Sequence, residues 1–153
     1  MRGLNKIEIS AMTPDKVKSV SEIEKICFSE PWSENALMSE CENEQALFFV
    51  AEENGNVTGY IGMHTVLDEC YIANIAVFPE HRRRGIGDSL LNFAEKKAIS
   101  RGCSFISLEV RVSNSGAIAL YEKHGYEIQG QRRNFYRNPT EDALIMTKYF
   151  NEV

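Results

Sequence analysis

With 153 residues, 43% of them hydrophobic and 25% charged, the chain has the composition of an ordinary globular protein, and one domain over residues 1–153 is predicted. No apolar run approaches the roughly 20 residues that cross a bilayer, and the opening MRGLNKIEIS lacks the apolar core of a secretory leader, so a cytoplasmic protein without a membrane partner is expected. A net charge of −5 argues against a nucleic-acid binder, and the scattered Cys27, Cys41, Cys70 and Cys103, with no C-x-x-C pair or Cys/His cluster, argue against a metal site and for reduced core thiols.

Along the chain, KIEISAM alternates apolar and polar residues, the period of a strand. Residues 15–28 place Val17, Val20, Ile23, Ile26 and Cys27 on one helical stripe, with Thr13 as N-cap and Pro14 at the first position. PWSENALMSECEN reads as a second, short helix capped at Ser33. ALFFVAEENGNVTGYIGMHTV is two apolar runs around Asn54-Gly55, a hairpin signal, and CYIANIAVF adds a third strand that Pro79 ends. From Glu22 to Glu53 nine glutamates stand against one lysine, which suits a solvated helical face or an acidic rim that steers a basic partner.

Residues 88–100 carry Leu90, Leu91, Phe93, Ala94, Ala98 and Ile99 at helical spacing, and Gly102 supplies the stop. CSFISLEVRV is a strand, and SGAIALYEKHG is a helix capped by Ser113 or Asn114 and stopped at Gly125. YEIQGQ is a strand, RRNFYRNPTED a polar loop and ALIMTKYF a closing strand. His64, His81 and His124 stand alone as structural or solvent-facing residues, and His124 suits a helix C-terminus. The order β-α-α-β-β-β-α-β-α-β-β predicts an α/β fold with a mixed sheet, antiparallel at its start and crossing over through the helix after Gly87.

EHRRRGIGDSLL lies between a strand and a helix. A helix start exposes unpaired amides and a partial positive charge, glycines let an anion approach the backbone, and arginines add charge, so the stretch suits a pyrophosphate. It lacks the G-x-x-x-x-G-K-[ST] of a nucleoside triphosphatase and the G-x-G-x-x-G of a dinucleotide site. A ligand-free strand-to-helix turn has the same bare pattern.

The surroundings narrow the choice. NIAVFPEHRRRGIG with its helix, followed by LEVRVSNSGAIALYEKHGYE, resembles the coenzyme-binding core of the GNAT N-acetyltransferase superfamily. PWSE, DECYIANIAV, LEVRVSN, AIALYEKHGY and RRNFY followed by EDALIM are similar, in order, to bacterial ribosomal-protein-alanine N-acetyltransferases, over about residues 31–146. The resemblance implies the GNAT fold, with the fourth and fifth strands splayed and the pantetheine arm of acetyl-CoA added in the gap beside Ile75, Ala76 and Val77. It implies that Arg83, Arg84, Gly85, Ile86, Gly87 and Asp88 hold the pyrophosphate through main-chain amides, with the arginine side chains secondary and Arg82 where relatives have Gln or Arg. Asn114 matches an asparagine that bonds the coenzyme, and from sequence alone it is equally a helix N-cap.

The implied reaction is attack of an amine on a thioester, which needs a base for the ammonium proton and a donor for the leaving sulfur. Glu109, in SLEVR, is either a glutamate on the polar face of an alternating strand or a partly desolvated carboxylate aimed into a cleft; the resemblance makes it the general base, through water. Tyr121 is by itself a packed helix aromatic, and the resemblance makes it the acid. Phe135, Tyr136, Glu69 and Trp32 are candidate contacts of the acceptor, with Tyr136 bonding its backbone. Gly116 stands where relatives carry alanine, a slight loosening of its helix. The implied acceptor is the N-terminal segment of a ribosomal or other small basic protein, taken by a monomer or weak dimer; lysine side chains or small amines, and a non-catalytic acyl-CoA-binding role, remain alternatives.

Overall fold

The computed structural model describes residues 6–150; residues 1–5, where the absence of a leader is read, lie outside them. The elements are β1 (Glu8–Ala11), α1 (Val17–Cys27), α2 (Glu34–Glu40), β2 (Ala46–Glu53), β3 (Asn56–Val66), β4 (Glu69–Val77), α3 (Ile86–Ser100), β5 (Phe105–Arg111), α4 (Ser115–Lys123), β6 (Glu127–Tyr136) and β7 (Glu141–Tyr149). Short 3₁₀ turns at Pro14–Lys16 and Pro79–His81 precede α1 and α3. The order matches the sequence reading, and the strands form one seven-stranded sheet, β1-β2-β3-β4-β5-β7-β6.

Local chemistry sets several boundaries. Asn54 and Gly55 both take positive φ, 54° and 81°, the pair that a type I′ turn requires, so β2 and β3 close as a hairpin. Ser33 accepts the Ala36 N–H at 3.0 Å and starts α2 as expected. Thr13 precedes the first helical turn, but its hydroxyl bonds Asp15 rather than a backbone amide. Asn114, not Ser113, caps α4, accepting the Ala117 N–H at 3.1 Å.

Helices cover both faces. Alternate residues of β2 divide between two cores, Phe48 and Val50 toward α1 and α2, Phe49 and Ala51 toward α3. On one side Val17, Val20, Ile23 and Leu37 are fully buried against Phe48 and Tyr60; on the other, Leu90, Leu91 and Ala94 seal Ile61, Met63 and Ile106. Each such side chain contributes about 1.5–3 kcal/mol on leaving water.

Three expectations need correction. On α1, Ile26 is 58% exposed, and Glu24 takes the inward place at the i+4 position from Val20. The acidic run is only partly a solvated face: Glu24 is fully buried, Glu53 pairs with Arg84, Glu52 with Lys16 and Glu40 with His64. Residues 132–136, read as loop, extend β6, with a register shift between Arg132 and Tyr136 and Asn134 at φ 51°.

The sheet opens at its middle. β4 and β5 run parallel but pair only at Glu69–Phe105, Cys70–Ile106 and Tyr71–Ser107, and beyond these rungs they diverge. A bulge helps to turn β4 away: Gly62 pairs with Asn74 and Met63 with Ile72, which leaves Ala73 as an extra residue on β4. The expected splay of these two strands is therefore present.

Candidate functional site

Two adjoining cavities fill the opening. The first, about 450 Å³, lies between the diverging strands and is lined by Ala73 and Asn74 of β4, Glu109 of β5, Tyr121 of α4 and Phe135 and Tyr136 of β6. The second, about 560 Å³, lies against the start of α3 and is lined by Ile75, Ala76 and Val77 and by Gly85, Gly87 and Asp88. Cys27, Phe28, Asn114 and Ala117 border both. The predicted catalytic pair therefore shares the first cavity, and the predicted coenzyme residues other than Arg84 gather around the second.

The start of α3 is shaped by left-handed residues. Gly85 caps it at φ 79°, and Arg83 takes φ 64° two residues earlier, so the chain coils tightly into the first helical turn and its leading amides lie free of intrahelical partners. Two of the three arginines bond within the protein, while Arg83 lines the second cavity. Arg84 grips Glu53 with both nitrogens, at 2.9 and 2.6 Å, and Arg82 bonds Val77 O at 3.1 Å and Cys27 Sγ at 3.2 Å. Asp88 accepts from Lys123 and His124, both at 2.9 Å, and so ties the first turn of α3 to the end of α4. His124, half of that tie, is not an isolated residue.

There is room for a bulky anionic group. A Cβ added at Gly85 or Gly116 would meet nothing within 4 Å, and one at Gly87 would meet only Leu120 Cδ2, at 3.5 Å. Unpaired helix amides together with the unshared edges of β4 and β5 fit a pyrophosphate carrying an amide-containing arm.

In the first cavity, Glu109 is only partly withdrawn from water. Its side chain is 32% exposed, and Oε2 accepts from Arg132 Nε at 3.0 Å. Tyr121 is 5% exposed, with its ring 5.7 Å from that of Tyr126. Burial, and then nearby Tyr136, raise its pKa and keep the phenol protonated. No group among the described residues hydrogen-bonds its hydroxyl, which borders the cavity. The Tyr136 phenol is pushed up to about 12, by burial first and by Glu109 second. Burial likewise raises the Cys27 thiol, partly offset by Arg82, so this cysteine is held away from the reactive thiolate form.

Glu69 stands apart. It opens β4 on the paired side, accepts from the Tyr71 hydroxyl, and lines neither cavity. Trp32 borders the first cavity and also packs edge-on against Phe48, with centroids 5.7 Å apart. Three residues of the site escaped the sequence reading. Arg111 lies 4.6 Å over the Tyr136 ring, bonds Glu141 at 3.0 Å and Arg137 O at 2.8 Å, and so holds the β6–β7 turn beside the cavity. Its signal was its spacing, two residues beyond Glu109 on one strand face. Glu24 and Asn74 meet below the floor, 2.9 Å apart, and the helical offset from Val20 was the only hint of Glu24.

Residues 17–126 match the acetyltransferase (GNAT) family. A protein of Bacillus subtilis strain 168 is 38% identical over 148 residues, 96% of this chain and 98% of that one. The ribosomal protein bS18-alanine N-acetyltransferase of Escherichia coli K12 is 38% identical over 142 residues, 90% of this chain and 94% of that one. The crystal structure of the ribosomal-protein-S18-alanine N-acetyltransferase from Escherichia coli superposes with a TM-score of 0.88 at 35% identity, covering 97% of this chain and 96% of that one.

Proposed function

The chain belongs to the acetyltransferase (GNAT) family, and from that premise we propose that it moves the acetyl group of acetyl-CoA to the N-terminal α-amine of a ribosomal protein, the bS18 alanine named for its relatives. The observation that carries this reading is that the two cavities adjoin: a helix start with free leading amides borders one, and Glu109 and Tyr121 line the other. A ribosomal acceptor sets the reaction in the cytoplasm.

The amides of Gly85, Ile86, Gly87 and Asp88, with those of Arg83 and Arg84, hold the pyrophosphate, and the helix dipole adds a favourable field. The edge of β4 at Ile75, Ala76 and Val77, which β5 leaves uncovered, receives the pantetheine arm, with Asn114 at its side. Acetyl-CoA supplies an acetyl group activated as a thioester. Glu109 takes a proton from the acceptor ammonium through water, for which its partial exposure leaves room. Tyr121 presents its hydroxyl to the sulfur as charge develops there and donates the proton that leaves as thiol. Tyr136, steadied by Arg111, closes over the acceptor backbone.

The test is transfer to a peptide with the bS18 N-terminus and internal lysines, read by fragment mass spectrometry alongside the release of coenzyme A. The reading expects one acetyl group on the α-amine per thiol released. Acetyl groups on lysine alone, on polyamines alone, or on nothing would overturn it.

A further inference from the structure

The buried carboxylate beneath the first cavity is used by none of the steps above. Glu24 is fully buried on α1, yet it receives three donors from three other segments. Oε1 takes the Trp32 N–H at 2.8 Å, and Oε2 takes Asn74 Nδ2 at 2.9 Å together with the Tyr60 hydroxyl. Tyr60 is itself fully buried on β3. Two of the three partners, Trp32 and Asn74, line the cavity. A buried carboxylate costs several kcal/mol to desolvate, and apolar packing would stabilise this place at least as well. Its donor set makes sense if it fixes something above it.

What it fixes is the Asn74 carboxamide. A carboxylate can only accept, so it selects the NH₂ end of Asn74, and the opposite end, Oδ1, is left as a hydrogen-bond acceptor. Among the described residues no donor engages that oxygen. Asn74 follows directly on the bulge at Ala73, where β4 leaves β5, and it lines the same cavity as Glu109 and Tyr121. An oriented acceptor there suits the N–H bonds of an amine, and it suits both the ammonium that arrives and the amine that attacks.

We propose that Asn74 is an acceptor-binding residue whose Oδ1 receives an N–H of the incoming α-amino group, and that Glu24 is the positioning residue that sets its orientation. The assignment rests on the amine-acetylating reading above. It adds a residue pair that selects for a primary amine carrying several N–H donors, and it gives the buried Glu24 a purpose beyond packing.

The experiment compares wild type, Asn74→Ala, Asn74→Leu, Glu24→Gln and the Glu24→Gln/Asn74→Ala double variant in steady-state transfer to the bS18 N-terminal peptide. Removing a hydrogen bond to a charged group is expected to raise the peptide KM by about tenfold or more in both Asn74 variants. The KM for acetyl-CoA stays within about twofold, because no coenzyme contact is touched. In Glu24→Gln the replacement amide can turn its oxygen toward Asn74 or its nitrogen, so the orientation is no longer enforced. The peptide KM then rises, and the double variant adds little to Asn74→Ala alone, since the two residues act as one unit. If wild type transfers no acetyl group to the peptide, the amine-acetylating reading fails and this assignment with it. If wild type is active but the Asn74 variants keep its peptide KM, or if peptide and acetyl-CoA KM rise together, the assignment alone is overturned. Should Glu24→Gln fail to fold, the two Asn74 variants still decide the acceptor contact, since Asn74 is only half-buried.

Discussion

Tyr121→Phe separates chemistry from packing more cleanly than any other change in the site. The phenol is 5% exposed, and its ring packs 5.7 Å from Tyr126. Phenylalanine keeps that ring and loses one oxygen that no described residue hydrogen-bonds. The fold therefore has little to lose: no internal hydrogen bond disappears, and the melting temperature should stay within about 3 °C of wild type, roughly the shift from 1 kcal/mol in a chain of this size. The rate should fall much further. A positioned acid contributes about 10²–10⁴-fold, which corresponds to roughly 3–5 kcal/mol of barrier at 1.36 kcal/mol per decade. Because burial holds the phenol protonated well past neutrality, the wild-type rate should show no limb from this group between about pH 6 and 9. The assay is thiol release under saturating acetyl-CoA and peptide, paired with calorimetric binding of acetyl-CoA and a thermal melt. A kcat within threefold of wild type would refute the role given to Tyr121. So would a large loss accompanied by lost acetyl-CoA binding, because the residue would then be holding the coenzyme rather than serving the leaving sulfur.

Other substitutions probe the remaining parts. Gly87→Ala places a Cβ at ordinary contact, 3.5 Å from Leu120 Cδ2, so the helix should gain about 0.5–1 kcal/mol while the acetyl-CoA dissociation constant rises about tenfold; denaturant melts and calorimetry should move in opposite directions. Gly62→Ala drives a Cβ to 2.4 Å from Phe48 Cε2, and that ring is backed by Trp32 and Tyr60; overpacking of about 1–3 kcal/mol should lower the melting temperature by roughly 3–10 °C. His124 first, then Lys123, hold the Asp88 carboxyl below its ordinary 3.8, so its stabilisation is present above that pH and is lost as pH falls through the lower folded value. In acid titrations, Asp88→Asn should be less stable than wild type at neutral pH, by under about 1 kcal/mol given its exposure, and the two curves should converge once the pH has fallen through that lowered value.

The order of the elements was legible because local signals agreed with the tertiary fold. Asn54-Gly55 is a turn that few other residues could make, and Leu90, Leu91, Ala94 and Ala98 reach the core as their spacing predicts, while Ile99 of the same stripe is 54% exposed. The gap between β4 and β5, by contrast, was not read from residue pattern; it came with the family resemblance. A single bulge residue, Ala73, contributes to it and carries no sign in composition. Residues 132–136 look like a loop because they are polar, and they are polar because β6 is an outer strand whose faces meet solvent. On α1 the predicted stripe holds at Val17, Val20 and Ile23 and fails at Ile26, since a hydrophobicity pattern counts that residue as core and has no place for a glutamate held by three donors. Glu109 lines the cavity, a place the residue pattern leaves open and only the family resemblance implies, and its partner Arg132 lies 23 positions away and becomes its neighbour only through the interposed β7.

Within the sheet only a three-rung seam joins β4 to β5, although α3 packs across both sides beneath it. Whatever threads the parted edges acts as a keystone, because its amides finish a ladder that the polypeptide leaves incomplete. Coenzyme at a hundred times its dissociation constant should add about 2.7 kcal/mol of stability, and the amides past the third rung should exchange their hydrogens far more slowly once it is seated. A protein jointed in this way registers the supply of its own acetyl donor as mechanical firmness.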